Sequence, residues 1–218
     1  MDERRAGRDL VDDSIIFVVD MIKDFLDPGE EFAIDEGRDM YDKLDELLAF
    51  GRANGIPIVH SASQGMNNSL YERHWWQIRD RVSCQVGSPT VDVVDRLRPP
   101  EYGDSEIYIA KSKYSPFYGT RLDTYLRNAP FLGRNTIIVT GMATNFCCMC
   151  TTVDAMNRDY RVLFVDDLNC TFDGIDGTPA ATMHKVTVET LKQGYVEEVV
   201  TADDLMQRLA REAAPVAV

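Results

Sequence analysis

One segment with three cysteines in four positions offers a reactive side chain in this sequence. It reads VTGMATNFCCMCTT over residues 139–152, an apolar run followed by glycine, the polar triplet ATN, and then Cys147, Cys148 and Cys150. A cysteine attacks as the thiolate, so its activity depends on neighbouring groups that move or stabilise the thiol proton. The chain has only three histidines, so we also consider residues of other types that could activate the thiol.

Two charged residues end apolar runs elsewhere in the chain. Asp20 follows SIIFVV (14–19), and Lys111 ends EIYIAK (106–111). A lysine ammonium lowers the pKa of a nearby thiol and a carboxylate accepts its proton, so these residues and Cys147 are candidates for nucleophilic catalysis without histidine, although spacing alone does not decide it. Taken singly, each has a structural interpretation, as a turn former, a solvated charge or a small core residue.

Strands and helices alternate along the chain in a pattern that positions these residues. Short apolar runs rich in β-branched residues predict buried parallel strands, and the segments between them predict helices. The predicted strands are 14–20, 56–63, 106–111, 136–141, 161–168 and 196–201, and the predicted helices are 36–55, 120–129, 144–159, 178–194 and 202–213. The alternation indicates one doubly wound, three-layer α/β/α domain over residues 14–213, after an N-terminal tail of residues 1–13.

Composition limits the class of partner. The net charge of −13 argues against nucleic acid, because no basic stretch offsets the general repulsion from phosphate. No apolar run approaches the ~20 residues of a membrane span, and the charged start MDERRAGRDLVDD lacks the apolar region of a signal peptide. Five cysteines, three of them in one segment, do not resemble a disulfide framework. We therefore expect a cytoplasmic protein that has neither a nucleic-acid nor a membrane partner.

Three blocks of the sequence resemble the signature blocks of the isochorismatase-like cysteine hydrolases, a superfamily that includes nicotinamidases, N-carbamoylsarcosine amidohydrolases and ureidoacrylate hydrolases. The blocks are IIFVVDMIKDF, AKSKYSPFYGT and VTGMATNFCCMCTTVDAMNRDY, in the order and separation of the family. The resemblance implies a six-stranded parallel sheet, a catalytic trio of Asp20, Lys111 and Cys147, and a cis peptide between Met142 and Ala143. It also implies a homodimer or homotetramer.

The activity that the resemblance implies is hydrolysis of a C–N bond in a small amide, ureido or carbamoyl compound. We expect Cys147 to lie in the first turn of a helix, where the helix dipole and Lys111 lower its pKa, and Asp20 to act as general acid and base. The backbone N–H groups of Ala143 and Cys147 are expected to bind the oxyanion. A thioester then forms as ammonia or an amine leaves.

No metal or other cofactor is expected. Nicotinamidases carry an aspartate and histidines for a metal after the second strand, where this chain has VHSASQGMNNS. His60 has no carboxylate or second imidazole beside it, and neither His74 nor His184 has metal-like spacing to it. We interpret His60 as a hydrogen-bonded residue at the end of its strand. Isochorismatase proper cleaves a vinyl ether and lacks the cysteine nucleophile, so Cys147 argues against that reaction.

Substrate contacts are predicted from aromatic side chains beside the catalytic blocks and in the irregular region 64–105. The aromatic candidates are Phe25, Tyr114, Phe117 and Tyr118 as pocket walls, with Trp75 and Trp76 either as a lid or as core and interface packing. An arginine of the same irregular region, Arg73, Arg79 or Arg81, is a candidate ligand for a substrate carboxylate.

Polar side chains near the nucleophile and the fifth strand have two interpretations. Thr144 and Asn145 are interpreted as helix caps rather than substrate contacts. Asn169 and Thr171 follow the predicted fifth strand, where a polar residue is a candidate ligand for an amide or ureido group. The two interpretations differ in whether each side chain is hydrogen-bonded to the protein backbone or to the substrate.

Other functions remain compatible with the sequence. The same fold serves a catalytically silent binding domain or an isochorismatase-type hydrolase of another small molecule. Cys147 and Cys150 form a C-x-x-C pair of the kind used by thiol-redox proteins, although no second cysteine or histidine pair accompanies it. Cys148 and Cys150 lie about 100° and 300° around an ideal helix from Cys147, and we interpret them as packing residues.

Overall fold

A six-stranded parallel sheet forms the centre of the molecule. The computed structural model describes residues 9–30, 32–65 and 83–214. The strands are β1 (Ser14–Val19), β2 (Ile58–Ser63), β3 (Glu106–Lys111), β4 (Thr136–Met142), β5 (Arg161–Cys170) and β6 (Glu198–Val200). They are hydrogen-bonded in the order β3-β2-β1-β4-β5-β6, and every neighbouring pair is parallel. The predicted sheet is confirmed.

Helices connect the strands. Their bounds are α1 (Leu10–Asp13), α2 (Lys23–Leu26), α3 (Asp35–Asp39), α4 (Tyr41–Ala53), α5 (Leu122–Leu126), α6 (Met149–Met156), α7 (Ala180–Lys192) and α8 (Ala202–Ala213), with a π-helical turn at Thr144–Cys148 before α6. The single helix predicted over 36–55 is therefore two helices that meet at Met40. None of the helices in the described ranges combines the length and the apolar character needed to cross a bilayer.

Alternate residues of the strands enter two separate cores. Ile16 of β1 lies in one cluster with Leu44 of α4 and Leu205 of α8, whereas Phe17 lies in the other with Leu191 of α7. The same alternation holds along the neighbouring strands, because successive strand side chains point to opposite faces. The sheet is thus covered on both faces, which gives the expected three-layer α/β/α architecture.

The short helix α1 lies in the segment that we expected to be a tail. Leu10 and Asp13 are buried, and the Leu10 N–H donates to Glu212 of α8 over 2.5 Å. The Asp13 carboxylate accepts from the hydroxyl of Thr136 at the start of β4, over 2.8 Å. The residues directly before β1 are therefore joined to the sheet and to the last helix.

The strand order reverses beside β1, which has β2 on one side and β4 on the other. In an open parallel sheet, ligands bind outside the carboxyl ends of the strands at such a reversal. Gly141 in β4 lies so close to β1 that a Cβ there would stand 2.0 Å from the carbonyl oxygen of Val19. The close approach of the two backbones brings the segments after β1 and β4 together.

Candidate active site

The carboxyl ends of three strands place the predicted catalytic residues in contact. Asp20 directly follows β1, Lys111 ends β3, and Cys147 lies in the π-helical turn after β4. The three side chains are almost fully buried, with residue exposures of 0%, 1% and 5%. The ammonium Nζ of Lys111 donates to Asp20 Oδ2 over 2.7 Å and lies 3.3 Å from the sulfur of Cys147. The structure thus brings the whole trio together.

Ser63 joins the trio, although our sequence analysis gave it no role. Its hydroxyl donates to Asp20 Oδ2 over 2.9 Å and accepts from Lys111 Nζ over 2.7 Å. Ser63 is the last residue of β2 and pairs in register with Lys111. Ser63 could have been identified from the sequence, because a polar residue at the end of β2 lies at the same edge of the sheet as the trio. We considered that position only as a site for metal ligands.

The backbone of Asp20 lies in the left-handed region, with φ of 51°. Aspartate is among the few residues that adopt this conformation readily. Oδ2 is occupied by Lys111 and Ser63, whereas Oδ1 is buried and has no hydrogen-bond partner among the described residues. One oxygen of the carboxylate therefore holds the ammonium, and the other is left to receive a proton.

The electrostatics of the site favour a neutral thiol beside an ion pair. Burial and the Asp20 carboxylate raise the pKa of Cys147, and Lys111 opposes that effect only in part. Burial lowers the pKa of Lys111, but Asp20 and Cys147 outweigh it and hold that pKa above its ordinary value. Our expectation of a lowered pKa for Cys147 is therefore wrong in this structure, because the thiol is nearly excluded from water and faces a carboxylate.

The segment between β4 and Cys147 has an irregular backbone. Met142 and Ala143 are joined by a cis peptide bond. The Ala143 carbonyl accepts from Phe146 over 3.0 Å and from Cys148 over 3.2 Å, which is the bonding of a π-helical turn. Within the described ranges, the N–H of Ala143, which lies between β4 and the turn, has no backbone acceptor. This donor is available in the segment that leads to the sulfur.

Thr144 and Asn145 do not cap this turn, contrary to our interpretation. The hydroxyl of Thr144 lies 2.8 Å from Nδ1 of His184, and the side-chain oxygen of Asn145 accepts from the hydroxyl of Thr171. The turn has no side-chain capping bond at its start. Both side chains therefore contact residues distant in the sequence instead of capping the turn.

The sequence comparison decides the family. The isochorismatase domain profile matches residues 14–204 of this chain. The chain belongs to the isochorismatase family. It is similar to the uncharacterized isochorismatase family protein YaaI of Bacillus subtilis, with 28% identity over 172 residues that cover 78% of this chain and 88% of that protein.

Two further similarities extend the match. The ureidoacrylate amidohydrolase RutB of Methylobacterium radiotolerans is 43% identical over 175 residues, which cover 71% of this chain and 66% of that protein. The crystal structure of a cysteine hydrolase from Pseudomonas syringae pv. phaseolicola superposes with a TM-score of 0.82 at 26% identity, covering 93% of this chain and 94% of that chain. The structural likeness thus extends over nearly the whole chain.

Within this isochorismatase-family site, the aromatic candidates separate into different environments. Phe25 packs edge-on against Phe32 and Phe172 in the core. Phe117 stacks on Phe17 with centroids 5.8 Å apart, and Arg158 lies over its ring. Phe117 is therefore buried in the core, in the same apolar cluster as Cys147.

Tyr114 is paired with an aromatic residue that we did not consider. Its ring centroid lies 5.6 Å from that of Phe146, the residue before Cys147, and both side chains remain partly exposed. Tyr118 is 65% exposed and is open to solvent in this chain. Trp75 and Trp76, and the arginines Arg73, Arg79 and Arg81, lie outside the described residues. Tyr114 and Phe146 thus form an aromatic pair, three residues after Lys111 and one residue before Cys147.

Asn169 has a backbone role. It lies inside β5 rather than after it, because the strand extends to Cys170. Its side-chain amide donates to the carbonyls of Val139 and Val165, over 3.0 and 2.6 Å, across an irregularity in the pairing of β4 with β5. We therefore assign the amide nitrogen of Asn169 to holding the strand that leads into the site, while its side-chain oxygen is buried without a partner among the described residues.

His60 lies in the middle of β2 and points away from the trio. Its Nε2 donates to Glu106 Oε1 over 2.7 Å, and its ring packs edge-on against Tyr102. The prediction that His60 is hydrogen-bonded is confirmed, but its place at the strand end is wrong. In the part of the chain that the structure describes, no three His, Cys, Asp or Glu side chains are grouped as metal ligands. His74 lies outside that part.

Proposed function

We propose that this isochorismatase-family chain is a cysteine-dependent amidohydrolase that cleaves the C–N bond of a small amide, ureido or carbamoyl compound. The observation that carries the proposal is the contact of one buried ammonium, Lys111 Nζ, with both Asp20 and Cys147. A nucleophile, a proton acceptor and a fixed positive charge meet in one water-poor site. The similarity to a ureidoacrylate amidohydrolase supports the same bond type.

Acylation begins from the neutral thiol. Asp20 accepts the proton of Cys147 as the sulfur attacks the substrate carbonyl, and Lys111 stabilises the thiolate character that develops on the sulfur. The negative charge on the substrate oxygen is bound by the N–H groups of Ala143 and Cys147. The C–N bond then breaks as Asp20 returns the proton to the leaving nitrogen. The products of this step are a thioester on Cys147 and ammonia or an amine.

Deacylation reverses the roles of the same groups. Asp20 accepts a proton from water as the water oxygen attacks the thioester carbonyl, and the sulfur leaves to regain that proton. The product is a carboxylic acid. From a ureido substrate the product is a carbamate, which loses carbon dioxide. The raised pKa of Cys147 fits this cycle, because a proton shared between the sulfur and Asp20 moves forward in one step and back in the next.

The experiment is release of ammonia from a panel of primary amides, ureido acids and N-carbamoyl amino acids. We expect the wild-type chain to release ammonia from at least one member, and Cys147→Ala to release none above background. Cys150→Ala is the matched control, because Cys150 lies one helical turn away in α6 and is only partly buried. Wild-type turnover that survives in Cys147→Ala would overturn the proposal, and so would the absence of any ammonia release.

A further inference from the structure

Four acceptors surround the ammonium of Lys111, which has only three hydrogens to donate. Asp20 Oδ2 and the hydroxyl of Ser63 each lie 2.7 Å from Nζ. The backbone carbonyl of Lys113 and the sulfur of Cys147 each lie 3.3 Å from it. Lys111 is 1% exposed, so protein groups rather than bulk water solvate the cation. The mechanism proposed above gives no role to the Lys113 carbonyl.

The two short contacts use two of the three hydrogens. At 2.7 Å, the contacts of Nζ with Asp20 and Ser63 have the length of charge-assisted hydrogen bonds, and each acceptor takes one hydrogen. One hydrogen then remains for two acceptors at the same distance. The Lys113 carbonyl and the Cys147 sulfur therefore compete for the third hydrogen of Lys111.

The charge on the sulfur determines which of the two acceptors is favoured. A thiol sulfur is a weak acceptor and a backbone carbonyl is a strong one, so the Lys113 carbonyl holds the third hydrogen while Cys147 is neutral. A thiolate carries a full charge and accepts the stronger, charge-assisted hydrogen bond. When the thiolate forms, the bond to the carbonyl is lost, and that loss opposes ionisation of the thiol.

The fold places this carbonyl beside the ammonium. Lys111 is the last residue of β3, and the chain bends directly after it. The bend returns the carbonyl of the second following residue to the side chain of Lys111. The competing acceptor thus belongs to the backbone, and it is present whatever side chain occupies position 113.

We propose that the Lys113 carbonyl is a positioning group that keeps the third hydrogen of Lys111 from Cys147 in the resting enzyme and releases it to the sulfur during acylation. The inference rests on the proposed function, since it concerns the same nucleophile. In this account the carbonyl acts only through the ammonium, and it holds the resting site in its thiol form.

The test weakens the carbonyl and keeps the Tyr114 side chain. Incorporation of the α-hydroxy acid analogue of tyrosine at position 114 converts the Lys113–Tyr114 peptide bond into an ester, whose carbonyl is a weaker acceptor. Iodoacetamide then reports on the sulfur, because Cys147 gains an S–C bond as iodide leaves with its electron pair. At a fixed pH below the midpoint of thiol ionisation, the rate is proportional to the thiolate population. Peptide mass mapping separates alkylation of Cys147 from that of the other cysteines.

We expect the ester at position 114 to speed alkylation of Cys147 about threefold. A hydrogen bond to a neutral carbonyl corresponds to about one pKa unit, and the ester retains part of it, which leaves a shift of about half a unit. Tyr118 is the matched control. The same substitution there removes an N–H that donates to the Ser115 carbonyl over 3.2 Å and leaves the Lys113 carbonyl unchanged. It should leave the alkylation rate unchanged.

A double-variant cycle with Lys111→Met identifies the path of the effect. The ester also removes the Tyr114 N–H, and a consequence of that loss for the backbone would remain in the absence of the ammonium. An effect that passes through the third hydrogen must vanish when the ammonium is absent. We therefore expect equal alkylation rates in Lys111→Met with and without the ester. Thermal unfolding is measured to show that each protein is folded.

Each result decides the inference. Acceleration by the ester that vanishes in Lys111→Met supports it. An ester variant that is alkylated at the wild-type rate or more slowly overturns it, and so does acceleration that persists in Lys111→Met. If Lys111→Met does not fold, the direction of the effect of the ester alone still decides. A wild-type chain that releases no ammonia from the amide panel would instead overturn the proposed function, and the alkylation result does not depend on turnover.

Discussion

The ammonium of Lys111 lies 3.3 Å from the sulfur of Cys147, although β2 and β1 separate the strands β3 and β4 in the sheet. The lysine side chain reaches the sulfur through the protein interior, and the residue is only 1% exposed. The intervening strands lead into Ser63 and Asp20, which bind the same ammonium over 2.7 Å each. One cation thus connects residues at the carboxyl ends of four neighbouring strands.

Lys111→Met should move the pH midpoint of Cys147 alkylation upward. The charge of Lys111 lowers the pKa of Cys147, and removing a cation at this distance shifts a neighbouring pKa by about 1–3 units. Below the midpoint, the rate of reaction with iodoacetamide at a fixed pH should fall about tenfold for each unit. Lys192→Met, which removes a half-exposed ammonium paired with Glu189, is the control.

Asp20→Asn should move the same midpoint in the opposite direction. The Asp20 carboxylate raises the pKa of Cys147, so its removal makes the thiolate easier to form. Turnover should nevertheless be lost, because the proton acceptor is gone. An alkylation profile that is the same in wild type, Lys111→Met and Asp20→Asn would contradict the electrostatic account of the thiol.

Ser63→Ala should lower kcat for ammonia release about five- to tenfold. The hydroxyl is a hydrogen-bond partner of both Asp20 and Lys111, and removing it leaves two buried charges with one fewer ligand. Ser61→Ala is a matched control, because Ser61 lies two residues earlier in β2, is equally buried, and its hydroxyl has no partner among the described residues. Equal kcat values for the two variants would show that Ser63 has no role in the site.

The fold could be predicted because its signals are local and periodic. The run SIIFVV in β1 is buried on both faces, whereas EIYIAK in the edge strand β3 is buried at four of six positions. The predicted ends of both strands differ from the observed ones by at most one residue. The trio followed from strand ends and from the family resemblance. The bounds of the helix predicted over 36–55 were harder to predict. Gly37 packs against Leu26 and Met142, and the segment divides into two helices at Met40.

The contacts between distant elements could not be predicted. Thr144 has a residue type that often caps helices, but Ala143 holds the capping position, and the Thr144 hydroxyl lies 2.8 Å from His184, 40 residues later. Phe117 follows Lys111 in the sequence, but its ring stacks on Phe17 in the core. The pKa of Cys147 depends on burial of its thiol, which spacing does not reveal. Each of these outcomes depends on packing rather than on local propensity.

Glu106→Gln should destabilise the fold at neutral pH and less so in acid. Burial raises the pKa of Glu106, but the guanidinium of Arg52 and the ring of His60 outweigh it and hold that pKa at about 2. A carboxyl group with a depressed pKa adds stability that is present above its unfolded pKa, ordinarily 4.5, and is lost as the pH falls toward about 2. We expect a loss of about 2 kcal/mol at pH 7.

Urea unfolding at pH 7, 5, 4 and 3 measures this difference. The gap between wild type and Glu106→Gln should narrow steadily below pH 4.5, the ordinary pKa of the carboxyl group. Asp42→Asn is the control, because its carboxylate is 84% exposed and pairs with Arg96 at the surface. A gap that stays constant from pH 7 to pH 3 would contradict the assignment of the depressed pKa to Glu106.

The central claim is that Cys147 carries the acyl group during turnover. The direct measurement is a rapid acid quench during turnover of the amide that releases ammonia fastest, followed by peptide mass mapping. The account predicts an added mass equal to the acyl group on Cys147 in wild type, and none in Cys147→Ala. Turnover with the adduct on Cys148 or Cys150, or steady turnover that persists in Cys147→Ala, would contradict it.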